Sequence, residues 1–209
     1  ITSSTVPPSP LPRSSSPSSS KHSFISYPFV LCPATKAMIL EMDAQLQMRL
    51  EMNQEMMQAF ASGAQYIIPY LILRVRREFI IPDTLSQMLG FEDSDFKKPL
   101  KVVFDNEEGV DAGGVRKEYY QVMMKQMLDP NYGMFSYFEE SRSLWFNRDS
   151  YETSMEFELV GILLGIAIYN SIIIDLPVPL ALYKKLKGEK CDLNDLAQLE
   201  PTLARGLQT

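Results

Sequence analysis

The sequence predicts a mainly helical α+β fold with short antiparallel strands and hairpins, rather than a βαβ sheet. Three observations support this. Helix-period apolar patterns run over residues 34–60 and 115–128, and a long apolar run spans 159–174. Short β-type runs at 70–77, 100–104, 134–138 and 144–146 are separated by Pro, Gly or charged loops. The hydrophobic fraction of 45% is ordinary for a globular chain, and 209 residues suit one domain with appendages.

In chain order, residues 1–23 are dominated by Ser, Pro and Thr and predict a disordered linker, with too little apolar surface to offset ordering entropy. They contain no apolar core that would make a secretory signal. Residues 24–69 form an N-terminal extension around a long helix rich in Ala, Leu, Met, Gln and Glu, with no Gly or Pro between 34 and 60. Ile39, Met42, Leu46, Leu50, Met57 and Phe60 predict a stripe packed onto the domain; a Met-rich promiscuous surface is the competing reading. Residues 70–209 form the main domain. In 70–77, Leu71, Leu73 and Val75 fall on one face, and Ile72, Arg74 and Arg76 on the other. Pro82 and Asp83 open a short helix to about Leu89, and a charged loop leads to the strand 100–104.

Asp129-Pro130 ends the helix over 115–128. The runs 134–138 and 144–146 then flank a polar loop and predict a β-hairpin, with Trp145 as a packing anchor. The run 159–174 holds Gly161 and Gly165 at the spacing of close helix contacts. It is shorter than the ~20 residues a membrane span needs, and Tyr169, Asn170 and Ser171 interrupt it. It therefore predicts a buried core helix whose glycines admit a neighbour. Pro177 and Pro179 punctuate the chain before a helix ending at lysines and Gly188. Asp192 and Asn194 start a last short helix, followed by Pro201 and an amphipathic tail.

Composition narrows the function classes. A net charge of −6 speaks against nucleic acid as the main partner. Cys32 and Cys191, far apart, imply no disulfide framework, and a reducing compartment follows, cytoplasmic with the nucleus as a second location. The single histidine, His22, makes no zinc-ligand spacing with them. No metal or cofactor is expected. The chain begins with Ile, and residues 203–209 break off within a helical pattern, so a piece of a longer protein is expected.

The stretch 104–120 organises the chain. Asp111-Ala112-Gly113-Gly114 lies between a strand and a helix, where glycine tolerates positive φ. A phosphate cradle would need Gly-x-x-x-x-Gly-Lys-Ser/Thr or Gly-x-Gly-x-x-Gly. Neither is present, and Glu107, Glu108 and Asp111 would repel an anion. The turn is read as structural, with Asp111 accepting from free N–H groups at the helix start.

These residues also carry a resemblance. Glu108-Gly109-Val110-Asp111-Ala112-Gly113-Gly114, followed by Arg116-Lys117-Glu118-Tyr119-Tyr120, resembles the signature of HECT-type ubiquitin ligases. Four further blocks agree in order and spacing: 70–77, 129–137, 145–147 and 159–170. Together they cover roughly residues 24–209 and lie closest to the HERC-like side of the family. The resemblance implies the N-lobe of a HECT domain. It also implies, for the whole protein, transfer of ubiquitin from a conjugating enzyme through a cysteine thioester to a substrate lysine.

The family's nucleophile sits in a C-terminal lobe beyond the matched region, and neither Cys32 nor Cys191 occupies its position, so no catalytic residue is assigned. The dock for the conjugating enzyme also lies mostly beyond residue 209. Some members bind a second ubiquitin non-covalently on the N-lobe. The resemblance places that contact on Tyr132 and Tyr137, with Asp129 where the family usually has Asn. The alternative is a non-enzymatic helical interaction module.

Overall fold

Two short apolar runs with a helix between them set up the main body of the fold. The computed structural model describes residues 26–63, 68–107 and 113–208. Strands β1 (Leu71–Val75) and β2 (Leu100–Phe104) pair in parallel, Leu71 opposite Leu100 and Val75 opposite Phe104. This corrects the expectation of antiparallel strands for this pair: β1, helix α2 (Ile80–Met88) and β2 form a βαβ unit. The physical reason is the connection. A parallel pair needs a crossover of a dozen or more residues, and the segment between Val75 and Leu100 supplies one. The alternation is as expected, with Leu71, Leu73, Val75, Leu100, Val102 and Phe104 all buried.

The free edge of β1 is closed by α2. Gln87 offers its Oε1 to the Arg74 N–H at 3.0 Å and donates from Nε2 to the Arg74 carbonyl at 2.7 Å. One turn earlier, Asp83 accepts from the Arg76 N–H at 2.9 Å and from its guanidinium. Two side chains at i and i+4 thus stand in for a third strand, satisfying backbone groups that an edge leaves open.

Against this unit pack α3 (Gly114–Met127) and α4 (Ser154–Tyr169). The α3 face Tyr119, Tyr120, Met123, Met124 and Met127 is buried, as are Leu159, Val160, Leu163, Ile166 and Ala167 of α4. Both tyrosine hydroxyls find partners, as burial requires. Tyr119 bonds the Thr84 hydroxyl at 2.9 Å, and Tyr120 donates to the Leu163 carbonyl at 3.0 Å. Burial pushes both phenols well above their ordinary range. Strands β3 (Phe135–Phe138) and β4 (Ser143–Phe146) form the expected antiparallel hairpin. Trp145 is half-buried against Phe146, their rings 5.6 Å apart.

The core-helix expectation holds for α4, but the helix starts earlier and stops at Tyr169. Residues 170–171 turn the chain out of the helix, and 172–179 follow without regular helix or strand. Gly161 and Gly165 are exposed, and a Cβ at either would meet nothing within 4 Å, so the close neighbour expected there is absent among the described residues. The apolar residues of α4 leave no room for a strict stripe, and the glycines fall on its open side. Among the described residues no helix is long and apolar enough to cross a membrane.

Helices α5 (Leu180–Leu186), α6 (Leu193–Leu199) and α7 (Pro201–Gln208) complete the order. Asp192 caps α6 in a reciprocal box with Asp195, and the buried Asp195 meets Lys184 at 2.7 Å.

The described residues fall into two units, divided between Met38 and Ile39. In the first, a 3-10 turn (Pro28–Val30) precedes the start of the long helix α1 (Pro33–Ser62). In the second, α1 departs from the stripe expectation: Ile39 is half-buried, but Met42, Leu46, Leu50, Met57 and Phe60 are exposed, Phe60 at 91%. The packed side carries buried Ala44 with Met48, Glu51, Glu55 and Ala59 half-buried, and Lys98 reaches Glu55 at 2.9 Å. Apolar residues surround the helix on all sides, so small and charged residues select the docking face. The expected linker 1–23, including His22, lies outside the described residues.

Two outcomes follow. Gly161→Ala or Gly165→Ala raises stability by about 0.5–1 kcal/mol, measured as the thermal midpoint, because an exposed helix-interior glycine gains backbone restriction without a clash. The Arg76 guanidinium and N–H hold the Asp83 carboxyl at about 2, below its ordinary 3.8. That contribution is complete above 3.8 and is lost as pH falls towards 2. Asp83→Asn therefore flattens the acid limb of a stability–pH profile over that interval and lowers stability at neutral pH.

Candidate functional site

The turn before α3 is shaped by one glycine. Gly113 sits at the N-cap with φ +98° and ψ −16°, a left-handed conformation that a side chain disfavours. Gly114 begins the helix regularly and has open space where its Cβ would be. The expectation that at least one glycine takes positive φ is met by Gly113 alone. Asp111 lies outside the described residues, so its capping role is not assigned.

Arg77 ties the two sides of this turn together. Its Nη2 donates to Glu107 Oε2 at 2.9 Å and its Nε to Glu107 Oε1, while Nη1 meets Glu118 Oε1 at 2.8 Å. Its guanidinium stacks 4.1 Å over the Phe104 ring. Glu107 follows β2 and Glu118 lies in α3, so one planar cation bridges residues 107 and 118 across the signature stretch. The paired carboxylates raise the Arg77 pKa further, and its fork lowers that of Glu107. Arg76 is likewise held by a carboxylate, that of Asp83. Arg77 was not singled out in the sequence; its signal there is an Arg-Arg pair ending a strand opposite a strand that ends in acids.

Asp129, Tyr132 and Tyr137 do not form one cluster. Asp129 Oδ1 accepts from the Asn131 N–H at 2.8 Å and from its Nδ2 at 2.9 Å, capping the 3-10 turn Pro130–Tyr132. The Asp in place of the family's Asn thus serves locally as an acceptor and positions the turn that carries Tyr132. Tyr132 is half-buried against the core, and burial with the Glu152 and Glu156 charges raises its phenol pKa. Gly133, at φ +91°, then turns the chain into β3. Tyr137 is 42% exposed and faces Leu144 across the hairpin. It borders a depression of about 500 Å³ shared with Phe138, Leu199 and Leu203, at whose edge Glu140 holds the Thr202 hydroxyl at 2.9 Å. No ring contact joins the two tyrosines, and Asp129 opens onto a separate cleft beside α3.

Both cysteines are free and exposed. Cys32 Sγ lies 3.1 Å from the Thr35 hydroxyl, which lowers its pKa, and Cys191 points a weak bond at the Ala181 carbonyl at 3.7 Å. Neither meets a nitrogen base in these hydrogen bonds. Among the described residues no cluster of three His, Cys, Asp or Glu could hold a metal ion.

We expect Gly113→Val to lower the thermal midpoint, at a cost on the order of 1–3 kcal/mol for a β-branched residue in a left-handed conformation, while Gly114→Ala leaves it unchanged or higher. Equal melting of the two variants would contradict the assignment of the turn to Gly113.

Residues 121–209 match the HECT-domain (ubiquitin-transferase) family. Over 187 residues, 88% of the chain, it is 46% identical to the probable E3 ubiquitin-protein ligase HERC4 of Homo sapiens. It is 44% identical to human HERC3 over 188 residues and 38% identical to mug30 of Schizosaccharomyces pombe over 187, both probable E3 ubiquitin-protein ligases. The match takes in 88% of the chain each time, but spans only 18% of the length of HERC4 and HERC3 and 23% of mug30. The family match and the identities agree: the chain carries residues from the N-terminal part of a HECT domain and is similar over most of its length to the HERC ligases.

Proposed function

We propose that this chain is the N-lobe scaffold of a HECT-type ligase and holds ubiquitin non-covalently along the ridge from Tyr132 to Tyr137. In this reading the whole protein passes ubiquitin from a conjugating enzyme to a cysteine and on to a substrate lysine. The thioester forms on a cysteine other than Cys32 or Cys191. The observation that carries the ridge is Tyr137, a large ring 42% exposed on the β3–β4 hairpin beside a depression lined by Phe138, Leu199 and Leu203 and rimmed by Glu139, Glu140 and Glu200. Tyrosine suits such a contact because it offers a broad rigid face and a polar tip. Asp129 contributes indirectly, by capping the turn that sets Tyr132. Glu139, Glu140 and Glu200 near Tyr137, with Glu152 and Glu156 near Tyr132, favour a partner face with an apolar centre and a basic rim. The cytoplasm, with the nucleus as a second site, is the compartment in which this chemistry would run.

Titration of isotopically labelled ubiquitin with the 209-residue chain tests the ridge. Saturable shifts that Tyr137→Ala abolishes, with its thermal midpoint unchanged, support the proposal; shifts that survive Tyr137→Ala overturn it. In parallel, the chain mixed with activating enzyme, conjugating enzyme, ubiquitin and ATP is expected to form no reducible adduct. An adduct lost on Cys191→Ser or Cys32→Ser would overturn the assignment of the nucleophile elsewhere.

A further inference from the structure

Within its unit, α1 is held to the core by little. Over residues 39–62 the one buried side chain is Ala44, with Ile39, Met48, Glu51, Glu55 and Ala59 half-buried. The specific contacts are charged. Glu55 meets Lys98 at 2.9 Å and Glu51 meets Lys97 at 3.7 Å, both lysines lying in the turn ahead of β2. Lys98 is shared with Asp95 at 2.8 Å. Partly exposed pairs of this kind stabilise weakly and are screened by salt. The large side chains Met42, Leu46, Leu50, Met57 and Phe60 are exposed and add nothing to the docking.

The docked position also carries a cost. The Tyr169 hydroxyl, at the end of α4, is buried without a hydrogen-bond partner. Its pKa is raised by burial and by the charges of Glu51 and Asp43, which places it beside α1. A buried hydroxyl without a partner gives up its bonds to water with no return.

The helix does not need the core in order to form. Residues 34–60 hold no Gly or Pro, and 30 residues exceed the ~12–15 below which isolated helices are marginal. The bonds Gln45–Glu41 and Gln47–Asp43, at i and i+4, lie within the helix and do not depend on docking. Gly63 follows the helix with φ +71°, and residues 64–70 connect it to β1.

We propose that residues 39–62 of α1 form a latched arm. Glu51 and Glu55 hold it on Lys97 and Lys98, and it swings away about Gly63 as an intact helix while the core stays folded. Release uncovers both lysines and hydrates the Tyr169 hydroxyl. Ionic strength, or an anion competing for the two lysines, opens the latch. The device is independent of the ubiquitin ridge.

The test places a thiol under the arm. The 209-residue chain carries Cys32→Ser, Cys191→Ser and Ala44→Cys, and its reaction with dithiobis(nitrobenzoate) is timed. Ala167→Cys in the same background puts the thiol in the core, where only global unfolding exposes it. The thiol at position 44 is expected to react about a hundredfold faster than that at 167. Raising NaCl from about 0.05 M to about 0.5 M speeds it further. Glu51→Lys with Glu55→Lys speeds it about tenfold at low salt, and adding Lys97→Glu slows it again. Tyr169→Phe slows it, because the docked state then buries no unpaired hydroxyl. Trp145 fluorescence and helical circular dichroism stay those of the parent. The proposal is overturned if positions 44 and 167 react alike, or if the rate at 44 ignores salt and the charge changes. It is also overturned if Tyr169→Phe speeds the reaction, or if helix content falls as the thiol at 44 becomes reactive.

Discussion

The parallel pairing of β1 with β2 is the constraint on which the rest of this structure depends. Two strands of five residues bury six large apolar side chains but leave one edge of β1 exposed. An isolated two-stranded sheet is marginal in water. Here the crossover helix closes the deficit twice. Ile80, Ile81, Thr84 and Met88 cover the apolar face, and Asp83 with Gln87 occupy the open backbone groups. The single buried hydroxyl of α2, Thr84, then sits where Tyr119 of α3 reaches it, so the same helix that completes the sheet also orients the signature helix.

That arrangement decides what the glycine turn is for. The end of β2 and the start of α3 are both fixed by packing, and the chain must reverse between them. Gly113 supplies the left-handed residue, and Arg77, anchored over Phe104, binds an acid on each side. The pairs are partly exposed, where ion pairs contribute little individually. A bidentate fork stacked on a ring holds geometry as well as charge. Glu107, one of the acids that argue against anion binding in the sequence, is thus a partner of Arg77 together with Glu118.

Much of this was legible in the sequence because it rests on local periodicity. The alternation of 71–75 and 100–104, the face Tyr119–Met123–Met127 at i and i+4, and the polar loop between β3 and β4 each appear as patterns that one segment carries by itself. The family resemblance rests on the same segments. What was not legible depends on contacts between segments. Strand direction is set by the crossover. The docking face of α1 is chosen by Ala44 and by lysines at 97 and 98, although larger apolar residues point elsewhere. The glycines of α4 have the spacing of a tight contact, but spacing alone does not supply a neighbour. At the candidate site, Tyr132 and Tyr137 were found by resemblance, while Asp129's role as a cap for the turn became visible only with its hydrogen bonds.

The break at Asn170 shows why the apolar run 159–174 misled a reading by hydrophobicity. Continuing α4 through Ile172 to Ile174 would suit the composition. Asn170 instead spends its side chain on two backbone groups: its Nδ2 donates to the Ile166 carbonyl at 2.9 Å, and its Oδ1 accepts from the Leu100 N–H at 2.8 Å. The first bond closes the helix end, and the second joins that end to the first residue of β2. Ser171 then takes positive φ, 55°, and the chain leaves along the core. One polar residue in an apolar run therefore ends a helix and secures the start of a strand. It also sets down the segment that, with α3, bounds the cleft onto which Asp129 opens, so that cleft exists because the helix stops where it does.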